Sequence, residues 1–204
     1  MSNDNASWMA PTTLRGKHVS LEPLRPEHAE ALNAAAADGE LWRLWFTSVP
    51  QPAQMAEYIA TALSTQSGGG GLAFVVRDAN GVIVGSTRFC NVDAENRRVE
   101  VGYTWYAHRM QRTALNTETK LLLLGYAFES LHAIAVEFRT HWFNTRSREA
   151  ILRLGAKQDG VLRNHQRQAD GTLRDTVVFS IIESEWPAVK LHLLRKLERD
   201  GPGA

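Results

Sequence analysis

The sequence predicts one α+β domain (α/β in looser usage) built on a mixed sheet. Three observations carry this. Strand-like segments form a meander and then feed a crossover helix, so antiparallel pairing meets a βαβ connection. The segments read β α α β β β α β α β β α, with no internal repeat. Composition is ordinary for a globular chain, with 204 residues, 44% hydrophobic and 22% charged, enough for one core.

Taken in order, residues 1–13 read as a loose polar arm before a single domain over 14–199, and 200–204 as a tail. Residues 18–24 (HVSLEPL) alternate like a strand. Pro26 opens a helix to about Ala37, closed by Asp38 and Gly39. Residues 40–52 are rich in aromatics and prolines: Trp42, Trp45, Phe46, Pro50 and Pro52. A second helix follows over about 53–65, then the four-glycine loop Gly68–Gly71. Residues 72–78 and 81–90 flank Asp78-Ala79-Asn80-Gly81, a hairpin turn. Residues 97–106 continue the meander, and a leucine-rich helix spans about 116–130. The apolar run 133–140 reads as a buried strand. Asn144 caps a helix that ends at Leu154 and Gly155, a residue suited to a left-handed C′ position. The last hairpin turns at Asp170-Gly171 into 172–182, and a final amphipathic helix runs over about 184–199.

The bulk properties exclude more than they assign. A formal net charge of +1 makes no electrostatic case for nucleic acid or membrane. Cys90 is the sole cysteine, which removes disulfides and cysteine-rich zinc sites. No apolar run reaches membrane-span length, and the polar N-terminus lacks signal-peptide character, so a cytoplasmic location is expected. The glycine run lacks the Gly-Lys-Ser/Thr of a P-loop, there is no HExxH, and the histidines show no ligand spacing, so no metal is expected. Between Arg139 and Arg174 eight Lys/Arg face three acids, which reads as a solvated face or as a surface for a polyphosphate. A 3′-phosphorylated nucleotide and RNA both fit that second reading, although no RNA-recognition signature is present.

The stretch Glu100–Lys120 concentrates the chemistry. A strand runs into the polar turn Gln111-Arg112-Thr113-Ala114-Leu115-Asn116 and straight into a helix. Such a junction gathers unpaired N–H groups and the positive end of a helix dipole, a ready phosphate site. Thr113, Asn116 and Thr117 can each cap the helix, and Glu118 suits its first turn. Strict alternation puts Glu100, Gly102 and Thr104 on one face, and Val99, Val101, Tyr103 and Trp105 on the other. Asn144 and Ser147, three apart, share a helix face. An ordinary capped junction accounts for the same residues without function.

Gln-x-x-Ala-x-Asn-Thr-Glu at 111–118 and Asn-x-x-Ser-x-x-Ala-Ile-x-x-Leu-Gly at 144–155, inside this order of elements, resemble the GCN5-related N-acetyltransferase family. The C-terminal RDTVVFSIIESEWPAVK resembles its RimJ/RimL-type branch of ribosomal-protein N-terminal acetyltransferases. The resemblance covers about 14–197. It implies a three-layer α/β/α fold whose mixed, mostly antiparallel, twisted sheet splays at the cofactor site. It implies acetyl-CoA as co-substrate, held at its diphosphate by the main chain of Gln111, Arg112, Thr113, Ala114, Leu115, Asn116 and Thr117. Its pantetheine arm is expected along the main chain of Trp105 and Tyr106, with Asn144 and Ser147 near the pantetheine or the sulfur. The expected partner is a small-molecule or peptide amine, and dimers are common in the family. Two positions depart from the pattern: Ala114 stands where glycine is usual, and Asn116 where glycine or alanine is usual. An added Cβ at a φ > 0 position is strained, and Arg112 brings a cation able to pair with phosphate.

The expected catalytic groups are Glu100, Ser147 and Tyr103. Acetyl transfer needs a neutral amine, a stabilised oxyanion and a leaving thiolate. Glu100 is the candidate base, and ion pairing with Arg97, Arg98 or a neighbouring strand is its bland alternative. A main-chain N–H near Tyr103–Trp105 is expected to meet the oxyanion. Ser147 is expected near the sulfur, with Tyr103 or Tyr106 behind it. Trp42, Trp45 and Phe46 are expected at the acceptor, or else as plugs between two helices. A second functional class is an acyl-CoA-binding sensor or scaffold of the same fold, motivated by Ala114 and Arg112.

Overall fold

A computed structural model describes residues 8–168 and 170–199. The elements are β1 (Leu14–Arg15), β2 (Val19–Pro23), α1 (Ala29–Ala37), α2 (Met55–Ser67), β3 (Gly71–Asp78), β4 (Ile83–Asp93), β5 (Arg98–Tyr106) and α3 (Ala114–Gly125). They continue as β6 (Ala135–His141), α4 (Thr145–Leu152), β7 (Lys157–Arg167), β8 (Leu173–Ile182) and α5 (Trp186–Arg199). The expected order is present, with the two-residue β1 added in front. Pro26 opens a single 3₁₀ turn ahead of α1. The helix expected over 116–130 starts two residues earlier and ends in a π turn at Tyr126–Ser130.

The eight strands lie in the order β1-β2-β3-β4-β5-β6-β8-β7. Every pairing is antiparallel except β5 with β6. That exception is what the α3 crossover demands. Two cores face opposite sides of the sheet. Val99, Val101, Leu115, Leu123, Phe138, Phe179 and Leu193 belong to the one beneath α3 and α5. Leu32, Met55, Ile59, Val75 and Trp105 belong to the one beneath α1 and α2. Trp186, Val189 and Leu193 give α5 its buried stripe at helical spacing.

The N-terminus is tied to this frame. Trp8 Nε1 donates to the Leu131 carbonyl at 2.9 Å and Met9 is in the core. The rest of the expected arm (1–7) and the tail (200–204) lie outside the described residues. Glu118, expected to serve its own helix start, instead accepts the N–H groups of Lys17 at 2.9 Å and His18 at 2.6 Å. Its carboxylate holds the β1–β2 turn, not the first turn of α3.

Two irregularities of β5 shape the centre. Its pairing with β6 covers Arg98↔Ala135, Val99↔Val136 and Glu100↔Glu137, and then stops. β6 goes on beside β8 as far as His141, and β5 goes on beside β4 as far as Tyr106. The sheet therefore opens between β5 and β6, and from Val101 onward the β6-facing edge of β5 has no strand partner among the described residues. The second irregularity is a β-bulge. Arg88 pairs with Gly102 and Ser86 with Trp105, so Thr87 alone faces both Tyr103 and Thr104. Tyr103 takes a left-handed φ of 51° there.

Candidate functional site

The bulge overturns the alternation expected for β5. Tyr103 joins the face of Glu100, where its ring stacks on the Arg88 guanidinium with 4.3 Å to the centroid. Thr104 goes to the α3 face and receives a hydrogen bond from Lys120 Nζ at 2.8 Å. Trp105 stays opposite Thr104 and bonds the Tyr58 hydroxyl on α2 at 3.3 Å. One extra residue shifts every later side chain to the other face, which is why Tyr103 and Glu100 now look toward the same side.

Glu100 stands at the fork between β5 and β6, 8% exposed. Its Oε2 accepts from Asn91 Nδ2 at 2.7 Å and lies 3.4 Å from Arg139 Nε. Burial pushes its carboxyl up from the ordinary value near 4.5, and the Asn91 and Arg139 contacts offset part of that. Neither Arg97 nor Arg98, the partners of the bland expectation, is its ion-pair partner: Arg98 pairs with Glu137, which also binds Arg139. The Glu100–Arg139 contact means that the cross-strand part of that expectation does hold.

The polar turn has the expected form. Thr113 is the N-cap of α3, and its Oγ1 accepts the Leu115 N–H at 3.3 Å. The first N–H groups of α3, through Asn116, precede the first intrahelical bond. Left-handed geometry falls on Arg112, at φ 62°, and not on Ala114, which is the first helical residue. The missing glycine at 114 therefore imposes no backbone strain, whereas Arg112, the other motive for a weakened phosphate turn, is the non-glycine residue in the left-handed position. Gln111, Arg112 and Thr113 are exposed, as a ligand-facing turn requires. Thr117 is buried.

Asn144 is the N-cap of α4, its Oδ1 accepting the Ser147 N–H at 3.1 Å. Both are half-buried, just after β6 ends on the far side of the opening. Tyr106 points away from this side into the α3-side core, where burial raises its hydroxyl well above the usual range. The three aromatics of the 40–52 segment separate. Trp42 packs against the core beneath α1 and α2. Trp45 stands 56% exposed, 4.9 Å from the His141 ring and 5.8 Å from Phe143 between centroids, with Phe46 at 5.6 Å. An aromatic cluster thus joins this loop to the end of β6, beside the opening.

Several neighbours of the site escape a sequence reading. Arg88, Asn91 and Arg139 reach Tyr103 and Glu100 only through strand pairing. His141 and Phe143 carry a signal, the aromatic run His141-Trp142-Phe143 directly after a strand. Lys120 carries another: it falls on the buried stripe of α3 with Thr117 and Leu124. Its Nζ also lies 5.7 Å from the centre of the Phe138 ring on β6, so the amine bridges β5 and β6 just past their last pair. Burial lowers its pKa from 10.5 to about 7. The unfolded chain then binds more protons than the folded one between about 7 and 10.5, so this lysine costs stability below pH 7 and ceases to as pH climbs to its ordinary value. Lys120→Met is expected to raise the melting temperature more at pH 6 than at pH 10, as checked by scanning calorimetry. An equal shift at both pH values refutes a charged, buried amine.

Among the described residues no three His, Cys, Asp or Glu side chains group as a metal site, and no helix is long and apolar enough to cross a membrane. Much of the basic 139–174 stretch is internally neutralised, through Arg139–Glu137, Arg153–Glu149, Lys157–Glu185 and Arg163–Asp175.

Comparison with known proteins agrees with this geometry. Residues 18–157 match the family described as acetyltransferase (GNAT) domain. The chain is 28% identical over 178 residues to the uncharacterised N-acetyltransferase p20 of Bacillus licheniformis, covering 85% of this chain and 98% of that protein. A GCN5-related N-acetyltransferase from Brucella melitensis superposes with a TM-score of 0.84 at 30% identity, over 93% of this chain and 86% of that one. Mycobacterium smegmatis RimJ in complex with CoA-disulfide shares the fold, with a TM-score of 0.75 at 22% identity over 93% and 94% of the two chains. The open β5 edge, the capped turn and these matches together place the chain in the GCN5-related N-acetyltransferase family.

Proposed function

We propose that this acetyltransferase takes acetyl-CoA as donor and passes the acetyl group to a primary amine in a ternary complex. One observation carries the reading: β5 loses its parallel partner after Glu100, leaving a free main-chain edge that leads, through a 3₁₀ turn at His108–Met110 and the 111–113 turn, to a helix N-terminus. Unpaired N–H and C=O groups on such an edge need partners, and the alternating amides of a pantetheine arm supply them. The RimJ neighbour named above holds a CoA-disulfide.

The turn Gln111–Thr117 would hold the diphosphate, through the first N–H groups of α3 and the Arg112 guanidinium. Trp105 and Tyr106 would hold the pantetheine through their main chain, and Asn144 and Ser147 would close its other side. When bound, acetyl-CoA supplies a thioester as acyl donor. Glu100 would accept a proton from the acceptor ammonium, directly or through one water; the neutral amine would then bond to the acetyl carbon as its C–S bond breaks, the proton shed by the nitrogen balancing the CoA thiolate that leaves as the thiol. A main-chain N–H at the Tyr103–Trp105 bulge stabilises the oxygen as charge develops. The amine enters from the face of Glu100 and Tyr103, flanked by Trp45 and Phe46. Ser147 stays the candidate group near the sulfur.

Calorimetry with acetyl-CoA, followed by thiol release over a panel of amines, tests this reading. Binding with turnover on at least one amine is expected. Failure to bind at millimolar acetyl-CoA refutes it, and binding without turnover on any amine points to the sensor reading.

A further inference from the structure

Arg88 is an anomaly on the Glu100 face of the sheet. It is 7% exposed, yet its Nε and Nη2 are buried without a hydrogen-bond partner. Among the described residues no carboxylate comes within ion-pair distance of it. Its guanidinium is clamped between two rings, 4.2 Å from the Tyr58 centroid and 4.3 Å from that of Tyr103. Cation–π contacts of this kind return a fraction of what a buried cation loses in leaving water. A buried polar group that the protein leaves unsatisfied calls for a partner from outside.

Its position says which partner. Arg88 pairs with Gly102 and Cys90 with Glu100, so Arg88 and Glu100 are diagonal neighbours on one face of adjacent strands. Diagonal neighbours of this kind lie about 7–8 Å apart, with side chains closer. Tyr103 reaches Arg88 because the bulge between β4 and β5 turns its ring to this face. A proton acceptor and an unsatisfied guanidinium thus lie on one face of adjacent strands.

We propose that Arg88 is a specificity residue for the acceptor, and that the acceptor is a small amine carrying an anionic group, carboxylate or phosphate, within a few bonds of its nitrogen. The amine meets Glu100 while the anion meets the Arg88 fork, which binds carboxylate and phosphate oxygens in pairs. Polyamines and amidated amines offer Arg88 nothing and leave its donors unpaired. The proposal rests on the acetyl-CoA reading above for the role of Glu100.

The test compares matched acceptors with the intact protein. Free amino acids are set against their C-terminal amides, and phosphoethanolamine against ethanolamine, with putrescine as a purely cationic control. The expected result is a kcat/KM at least about tenfold higher for the anionic member of one pair, because a charge-assisted bond is lost with the other. Which pair shows the preference distinguishes carboxylate from phosphate. Arg88→Gln is expected to collapse that ratio toward one, mainly through the KM of the anionic acceptor, and Arg88→Lys to restore part of it. Equal use of anionic and neutral acceptors by the unmodified protein overturns the proposal, as does an equal loss on both in Arg88→Gln. If Arg88→Gln does not fold, the comparison with the unmodified protein decides alone. Absence of acetyl-CoA binding removes the donor reading and this one with it, whereas binding without a charge preference removes only the role of Arg88.

Discussion

Glu100→Gln lowers kcat by at least about tenfold, and by up to about 10⁴-fold if Glu100 is the sole base, while the Kd for acetyl-CoA changes little. The substitution keeps the shape of the side chain and an oxygen able to accept from Asn91, so the fork between β5 and β6 is preserved. What goes is the lone pair that takes the ammonium proton. Thiol-release kinetics with calorimetric Kd values check both halves, and unchanged turnover removes Glu100 as base. The pH dependence has a definite sign. Glu100 acts as base when ionised, so activity falls as pH drops through its raised pKa. Stability runs the other way. A carboxyl raised by burial binds more protons in the folded than in the unfolded chain, so its contribution is largest below the ordinary value near 4.5 and is lost as pH rises through the raised one. The same variant is therefore expected to melt at a higher temperature than the parent at pH 8, an inactive but firmer protein.

Gly85→Ala produces the largest expected structural loss near the site. Gly85 pairs with Tyr106, and a Cβ there would press into the Trp105 carbonyl oxygen and come within 3.0 Å of Tyr106 Cα. Those atoms are backbone, so no rotamer change relieves the clash. β4 and β5 must separate at the end of β5 that leads toward the Gln111–Thr113 turn. Overpacking of this kind costs about 1–3 kcal/mol, and acetyl-CoA binding is expected to weaken with it because Trp105 and Tyr106 carry the strand edge. Urea denaturation and calorimetry on the same preparation check the pair of effects. Full stability with full affinity refutes the tight approach of the two strands.

Local chemistry made much of this fold legible, because most of its elements announce themselves. Asp78–Gly81, Thr113 and Asn144 sit where turn and cap chemistry place them, and the buried stripe of α5 follows helical spacing. The central site was legible in its positions and not in its directions. Alternation fixes which way Tyr103 points only while the ladder stays regular, and the bulge depends on Thr87 facing two residues of another strand. No local pattern around Tyr103 encodes that. The splay at Glu100 likewise depends on where β6 turns toward β8. Arg88 and Lys120 were passed over for a related reason. Charged residues are usually solvated; the helical spacing of Lys120 hints at enclosure, and the assembled sheet shows both cations enclosed.

Glu118 has a consequence for the ends of the chain. Its carboxylate, in the second turn of α3, is satisfied by main-chain N–H groups from Lys17 and His18, about a hundred positions away in sequence. The amino-terminal hairpin is thus a latch on α3 and not an ornament of the sheet edge. Clipping the chain beyond His18 would strand a negative charge in the interior, so on the proposed reading of the α3 start proteolysis at the amino terminus and acetyl-CoA binding would be thermodynamically linked.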